Sequence, residues 1–120
     1  MTPRTENVVL IVEDELLVRY EVAQELRAVG YEVVEFSTAE DAIARLQAGP
    51  RIDVVFTDIQ LAGRLTGWDV AEQFRAANPD LPIIYASGNA ADRSRRVPDS
   101  LFFNKPYDAA EVVAACCRLT

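Results

Sequence analysis

Residues able to do chemistry stand where the apolar segments of this 120-residue chain stop. Glu13 and Asp14 follow a run of five aliphatic residues, and Asp58 follows a second apolar run. Two further runs end at Ser87 and just before Lys105. If the runs are neighbouring parallel strands, their carboxyl ends gather three carboxylates, a hydroxyl and an ammonium in one crevice. Such a set can hold a divalent cation and a phosphoryl group.

The three carboxylates are candidate oxygen ligands for a divalent metal ion. We expect Asp14 and Asp58 to contact the metal directly, and Glu13 to contact it directly or through a water molecule. The backbone carbonyl of Gln60, just beyond Asp58, is the candidate for a further ligand. Magnesium suits this site because it prefers octahedral oxygen ligands and keeps several waters; manganese is the alternative.

Asp58 is also the candidate nucleophile for a phosphoryl transfer. A carboxylate and a phosphoryl donor repel each other, and this barrier falls when a divalent cation and a fixed ammonium neutralise the phosphoryl oxygens. Lys105 would supply the ammonium, and the Ser87 hydroxyl would hydrogen-bond the phosphoryl group once it is attached. Each residue alone is common in a cap, a turn or a solvated surface, so the hypothesis depends on their convergence.

Composition narrows the range of partners and compartments. The formal net charge of −7 argues against nucleic acid or an anionic membrane surface as the main partner. Histidine is absent, which excludes an imidazole base and a zinc–histidine site. The longest N-terminal apolar run is too short for a signal peptide or a membrane span, which predicts a cytoplasmic protein. Cys116 and Cys117 are adjacent and cannot bridge without strain, so we expect two thiols, one facing the core.

Apolar runs predict five strands, and the amphipathic segments between them predict helices. The predicted strands span residues 8–12, 31–36, 52–57, 82–87 and 101–104. Helices are expected over about 15–29, from a capping box at 37–40 to the glycine-proline pair at 49–50, over about 68–77, and from an N-cap at Asp108 onward. The helix positions expected to be buried are Val18, Val22, Leu26, Val29, Ala39, Ala42, Ile43, Leu46, Val70, Ala71, Phe74, Ala77, Ala109, Val112, Val113 and Cys116.

The regular alternation of strands and helices predicts an α/β fold. Five strands joined by helical crossovers form a parallel sheet with helices on both faces, and one reversal of strand order makes it doubly wound. Residues 1–7 are interpreted as a polar lead-in and residues 8–120 as one domain. Between the last two strands, residues 89–97 are polar and support at most two helical turns, so a fourth helix there is short or degenerate. The cluster of Arg93, Arg95 and Arg96 is interpreted as a solvated face, with docking to an acidic partner as the alternative.

Four motifs at the strand ends carry a resemblance to a known family. They are Val12-Glu13-Asp14-Glu15, Thr57-Asp58-Ile59, Tyr85-Ala86-Ser87-Gly88 and Asn104-Lys105-Pro106-Tyr107. In this order they resemble the CheY-like receiver domain of two-component response regulators over essentially the whole chain. The resemblance implies a flavodoxin-like sheet of strand order 2-1-3-4-5 in a bacterial phosphorelay protein. It also implies phosphorylation of Asp58 by a histidine kinase or histidine phosphotransfer protein, a magnesium site at Glu13, Asp14 and Asp58, and a cis peptide bond between Lys105 and Pro106.

The resemblance further implies a switch that acts on a downstream protein target. It pairs Ser87 with Phe102: the serine moves toward the phosphoryl group, and the aromatic ring turns inward to fill the space. Two departures from the family pattern stand out. The step from Asp58 to Gly67 is one residue longer than usual, and the step from Ser87 to Lys105 is several residues shorter.

The expected function is a stand-alone receiver that switches a protein-protein interaction surface, with no output domain after Thr120. It is not expected to be an enzyme, apart from taking part in its own phosphorylation and slow autodephosphorylation. A pseudo-receiver that binds partners without phosphorylation is one alternative. A magnesium-dependent phosphatase with an aspartyl-phosphate intermediate is another, although Gln60 stands where such enzymes place an acid. A monomer is expected, and a dimer through the fourth-helix region is the alternative.

Overall fold

The computed structural model describes residues 7–49, 51–88 and 93–120. Its five strands are β1 Val8–Val12, β2 Glu32–Phe36, β3 Val54–Asp58, β4 Ile83–Ser87 and β5 Leu101–Asn104. Its helices in the described ranges are α1 Leu16–Ala28, α2 Ala39–Ala48, α3 Gly67–Ala77 and α4 Ala109–Leu119. The strands form one parallel sheet in the order β2-β1-β3-β4-β5, which confirms the predicted fold and strand order.

Helices cover the sheet on both faces. On one face, α1 and α4 contribute Val22, Leu26 and Val112 to a core beneath the sheet. On the other, α2 and α3 contribute Ala42 and Phe74 to a second core. Every residue of β1, β3 and β4 is buried, which explains why these strands read as continuous apolar runs without alternation.

The strand order reverses between β1 and β3, because the chain passes to β2 on one side of β1 and returns to β3 on the other. The register then places the strand ends side by side. Asp58, the last residue of β3, pairs with Ala86, and Ser87, the last residue of β4, pairs with Asn104. The crevice therefore opens at the carboxyl ends of these strands.

The boundaries of α1 agree with the prediction to one residue, but its buried face does not. Val22, Ala23 and Leu26 are buried, whereas Val18 is half-buried and Val29 is 43% exposed. Val29 caps the helix, and the chain turns away at Gly30, which has φ of +99°. The predicted stripe thus extended past the point where the helix leaves the sheet.

The predicted capping box at residues 37–40 is wrong. Thr38 is the N-cap of α2, and its hydroxyl accepts a hydrogen bond from the backbone N–H of Asp41 at 3.2 Å. The carboxylate of Glu40 accepts hydrogen bonds from backbone N–H groups of the loop after β3. The loop after β3 therefore takes the carboxylate that the predicted capping box would have used.

Some positions at the margins of the other helix faces are less buried than predicted. Ala77 is exposed at the end of α3, and Ile43, Leu46 and Val113 are half-buried because they lie at the margins of their helix–sheet contacts. The other helix positions expected to be buried are buried. Cys116 is buried and Cys117 half-buried, as predicted, and burial raises the pKa of Cys116 to about 12. No helix in the described ranges is both long and apolar enough to cross a membrane.

The segment between β4 and β5 is held by arginines. Residues 89–92 lie outside the described residues, and residues 93–100 form turns rather than a helix. Arg95 pairs with Asp69 at 2.9 Å and with Glu72 at 2.7 Å, both on α3. Arg93 hydrogen-bonds Asn104, and Arg96 hydrogen-bonds Ser100. Arg95 and Arg96 are exposed and Arg93 is half-buried, so the cluster faces the solvent as interpreted, although all three guanidinium groups also have partners within the domain.

The start of α3 packs closely on the end of β3, which gives a test of the fold. A Cβ at Gly67 would lie 2.0 Å from the backbone oxygen of Asp58, so Gly67→Ala is expected to lower the free energy of unfolding by about 1–3 kcal/mol. Gly88→Ala is the matched control, since its Cβ would meet nothing closer than Lys105 Cβ at 3.7 Å. Urea unfolding followed by circular dichroism measures both variants, and equal stabilities would contradict the close packing.

Candidate functional site

The predicted site residues converge at the carboxyl end of the sheet. Glu13 follows β1, Asp58 ends β3, and Lys105 follows β5. Lys105 Nζ lies 2.8 Å from Asp58 Oδ2 and 3.1 Å from Glu13 Oε1. The peptide bond between Lys105 and Pro106 is cis, as the family resemblance implied.

The acidic cluster comprises Glu13, Asp14 and Asp58. Each offers a carboxylate oxygen within 4.8 Å of the others; Glu13 and Asp58 are buried, and Asp14 is exposed. Carboxylate oxygens within one small space are the donors that Mg²⁺ prefers, so the cluster is compatible with the magnesium site typical of receiver domains. Its exposed member leaves the cluster open to the solvent.

Lys105 is a permanent cation at this site. Burial alone would lower its pKa, but hydrogen bonds and charges from Asp58 and Glu13 outweigh burial and raise the pKa above the ordinary 10.5. The pKa of Glu13 is also raised, chiefly by burial and further by the charge of Asp58. Its hydrogen bond from the Glu15 N–H and the nearby ammonium oppose that rise.

Backbone groups fix the orientation of Asp58 and Glu13. The N–H of Ile59 donates to Asp58 Oδ1 at 2.8 Å, so both carboxylate oxygens of Asp58 have a partner. On the other side, Arg19 of α1 donates to the backbone carbonyl of Glu13 at 2.8 Å and pairs with Glu35 of β2. The role of Arg19 was not predicted from the sequence, because no local pattern links this residue to the end of β1.

An open crevice of about 480 Å³ surrounds the carboxylates. Its lining combines residues at or just after the ends of β1, β3, β4 and β5 with the loop after β3, and its members are Asp14, Glu15, Asp58, Gln60, Leu61, Ala62, Ser87, Gly88 and Lys105. Gln60 and Ser87 were predicted from the sequence, whereas Leu61 and Ala62 were not. The crevice is large enough for a small anion beside the carboxylates.

Ser87 and Phe102 lie on neighbouring strands of the sheet. Ser87 is buried at the end of β4, and its backbone carbonyl accepts the N–H of Lys105 at 2.9 Å. The half-buried ring of Phe102 has its centroid 6.0 Å from that of Tyr85 and 6.5 Å from that of Trp68. Trp68 itself is buried at the start of α3.

The guanidinium of Arg93 covers the ring of Phe102. This contact was not predicted from the sequence. The central carbon of the guanidinium lies 3.7 Å from the centroid of the ring, a cation–π contact, and Arg93 also hydrogen-bonds Asn104 two residues further along β5. The outer side of the ring is therefore occupied by a charged group rather than open to water.

Comparison with known proteins agrees with this fold. A family model described as the response regulator receiver domain matches residues 9–116. A response regulator receiver protein from Sinorhizobium medicae WSM419 is 35% identical, with a TM-score of 0.89 over 94% of this chain and 93% of that chain. The receiver domain of the hybrid histidine kinase CckA is 27% identical, with a TM-score of 0.78 over 94% and 98%.

Relatives with longer chains carry the same domain. The sensory transduction protein RegX3 from Mycobacterium tuberculosis is 33% identical over 111 residues, which cover 88% of this chain and 47% of RegX3. The sensor kinase CckA from Brucella abortus is 29% identical over 87% of this chain but 11% of its own length. The chain thus spans about half or less of the length of these relatives. It belongs to the response regulator receiver domain family of two-component signalling.

The ion pairs of Lys105 with Glu13 and Asp58 should contribute to the stability of the fold. Lys105→Met is expected to lower the free energy of unfolding by about 1–3 kcal/mol without added metal, because it leaves two buried carboxylates facing each other. The raised pKa of Lys105 means that this contribution is fully present below 10.5 and is lost only as pH rises through the raised value. Urea unfolding should therefore give the same cost from about pH 6 to about pH 9.

Asp58→Asn supplies the control for this prediction. In the Asp58→Asn background, Lys105→Met should cost less than it does in the wild-type chain, because one of the two charges that the ammonium neutralises is gone. Equal costs in the two backgrounds would show that the ion pair with Asp58 does not contribute.

Proposed function

We propose that this receiver domain accepts a phosphoryl group on Asp58 from a phosphohistidine of a histidine kinase or histidine phosphotransfer protein. One observation carries the proposal: the ammonium of Lys105 lies within hydrogen-bond distance of Asp58 and Glu13 at the mouth of the crevice. Membership in the receiver family supports it.

The transfer needs an attacking oxygen, a cation for the phosphoryl group and room for the donor. A carboxylate oxygen of Asp58 attacks the phosphorus, the P–N bond to the donor imidazole breaks, and its electron pair returns to the imidazole nitrogen. Lys105 then exchanges part of its contact with Asp58 for a phosphoryl oxygen. When bound by Glu13, Asp14, Asp58 and the Gln60 carbonyl, Mg²⁺ (or Mn²⁺) would neutralise the remaining phosphoryl charge.

The switch of this receiver would run from Ser87 to Phe102. A phosphoryl group on Asp58 offers acceptor oxygens that draw the Ser87 hydroxyl toward them. Phe102 would turn into the vacated space and away from Arg93, so the change would reach the surface through ring packing and not through a phenol hydroxyl. The downstream target would be a protein that reads this surface, with the chain acting as a monomer in the cytoplasm.

Two observations disfavour the alternative functions. The crevice retains the acidic cluster together with Ser87 and Lys105, which a pseudo-receiver would not need. Gln60 lies at the crevice where a phosphatase of the aspartyl-phosphate type would place a carboxylic acid, and an amide cannot transfer that proton. We therefore propose slow autodephosphorylation rather than multiple turnover.

Phosphorylation can be measured directly. Incubated with Mg²⁺ and a small phosphodonor such as acetyl phosphate, the chain should gain one phosphoryl group by intact-mass analysis, and Asp58→Asn should gain none. Asp53→Asn is the matched control, since Asp53 is engaged by Arg51 and the Val8 N–H at the opposite end of the sheet. Continuous release of phosphate from the donor would indicate a phosphatase, and an unchanged mass would indicate a pseudo-receiver.

The switch can be followed through Trp68, the single tryptophan of the chain. Mg²⁺ with beryllofluoride, a phosphoryl mimic, should change Trp68 emission because the ring of Phe102 leaves its neighbourhood. Phe102→Leu should reduce this change by more than half, whereas Phe103→Leu should not, since Phe103 packs against the core on the opposite face. An equal response in both variants would rule out Phe102 as the moving ring.

A further inference from the structure

The loop after β3, residues 60–66, is fastened to α2 by the carboxylate of Glu40. Glu40 Oε2 accepts the backbone N–H of Arg64 at 2.9 Å and that of Leu65 at 3.3 Å. A parallel bridge between Thr38 and Ala62 adds a further link between the start of α2 and the same loop. Hydrogen bonds to a charged acceptor are stronger and more directional than neutral ones. The carboxylate of Glu40 therefore holds the part of the loop around Arg64 and Leu65 against the start of α2.

The backbone at Gly63 packs so closely against the carboxylate of Glu40 that only a glycine fits there. Gly63 has φ of +97°, and a Cβ there would lie 2.9 Å from both carboxylate oxygens of Glu40. A side chain at this position would push the carboxylate away from its two N–H donors. The glycine and the glutamate thus form one complementary contact, although they come from different elements.

The two ends of the loop meet at Ile59, the residue after Asp58. The N–H of Gly67 donates to the carbonyl of Ile59 at 2.8 Å, so the loop leaves and returns at one point beside the site. Between these ends, Gln60 and Ala62 lie at the crevice. Between its ends, the loop is restrained by its attachment to α2 and by the packing of Leu61 and Leu65 on the core.

We infer that Glu40 is a positioning residue for the metal site: it holds loop 60–66 so that the Gln60 carbonyl is available as a ligand. The inference rests on the proposed function, in which that carbonyl contributes to metal binding. Leu61 and Leu65 also pack on the core, but apolar contacts are non-directional and do not by themselves orient a backbone carbonyl. Hydrogen bonds from Glu40 would supply the direction.

Isothermal titration of the full chain with Mg²⁺ alone tests this role. Glu40→Ala should weaken Mg²⁺ binding roughly 10-fold, the lower end of the effect of removing a group that orients a metal ligand. Glu40→Gln keeps an acceptor oxygen and should stay within about 3-fold of wild type. Asp41→Ala is the matched control, because it removes an exposed carboxylate from the same helical turn without touching the loop.

Hydrogen exchange of the Arg64 and Leu65 amides gives a second readout, and it should accelerate in Glu40→Ala. If that variant does not fold, Gly63→Ala breaks the same contact from the loop side and should weaken Mg²⁺ binding similarly. Wild-type affinity in the folded variants, even with a lower melting temperature, would overturn the positioning role. A wild-type chain that binds no Mg²⁺ would instead contradict the proposed function itself.

Discussion

The ammonium of Lys105, held between two buried carboxylates, is the interaction on which the carboxyl end of the sheet depends. Without it, Glu13 and Asp58 would bring like charges together with little water to screen them. One ammonium does not balance even these two carboxylates, and Asp14 adds a third at the exposed edge of the site. A cluster with excess negative charge attracts a cation, and it is open to the solvent on the side from which a cation would enter.

The position of these groups is set by the core rather than by loops. Glu13, Asp58 and Lys105 each lie at or next to the end of a strand, and the neighbouring strands are fixed by apolar packing on both faces. Because the strand order reverses beside β1, the ends of β1 and β3 face a crevice that no crossover helix fills. A rigid sheet thus holds charged groups at distances that flexible loops would not maintain.

The sequence predicted those features that depend on local pattern. Continuous apolar runs identified the strands, and the residues that end them, such as Asp58 and Lys105, identified the site. It did not predict the contacts of Arg19, Glu40 and Arg95. Their partners lie 6 to 26 residues away in sequence on other elements. Such pairs exist only once the elements have docked, so no periodicity or spacing reveals them. The same reason explains why the margins of the helix faces were wrong.

In the segment between β4 and β5, the described residues form turns where a full helix would otherwise connect the two strands. Arg95 ties it to α3, and the N–H of Val97 donates to the buried hydroxyl of Tyr85 on β4 at 3.1 Å. Arg93 covers Phe102 on β5. A helix could slide as a unit when the ring beneath it moves. Here the ring touches the guanidinium of Arg93, two residues before Arg95, which is anchored to α3, so the contacts of Phe102 are linked to those along the α3–β5 edge.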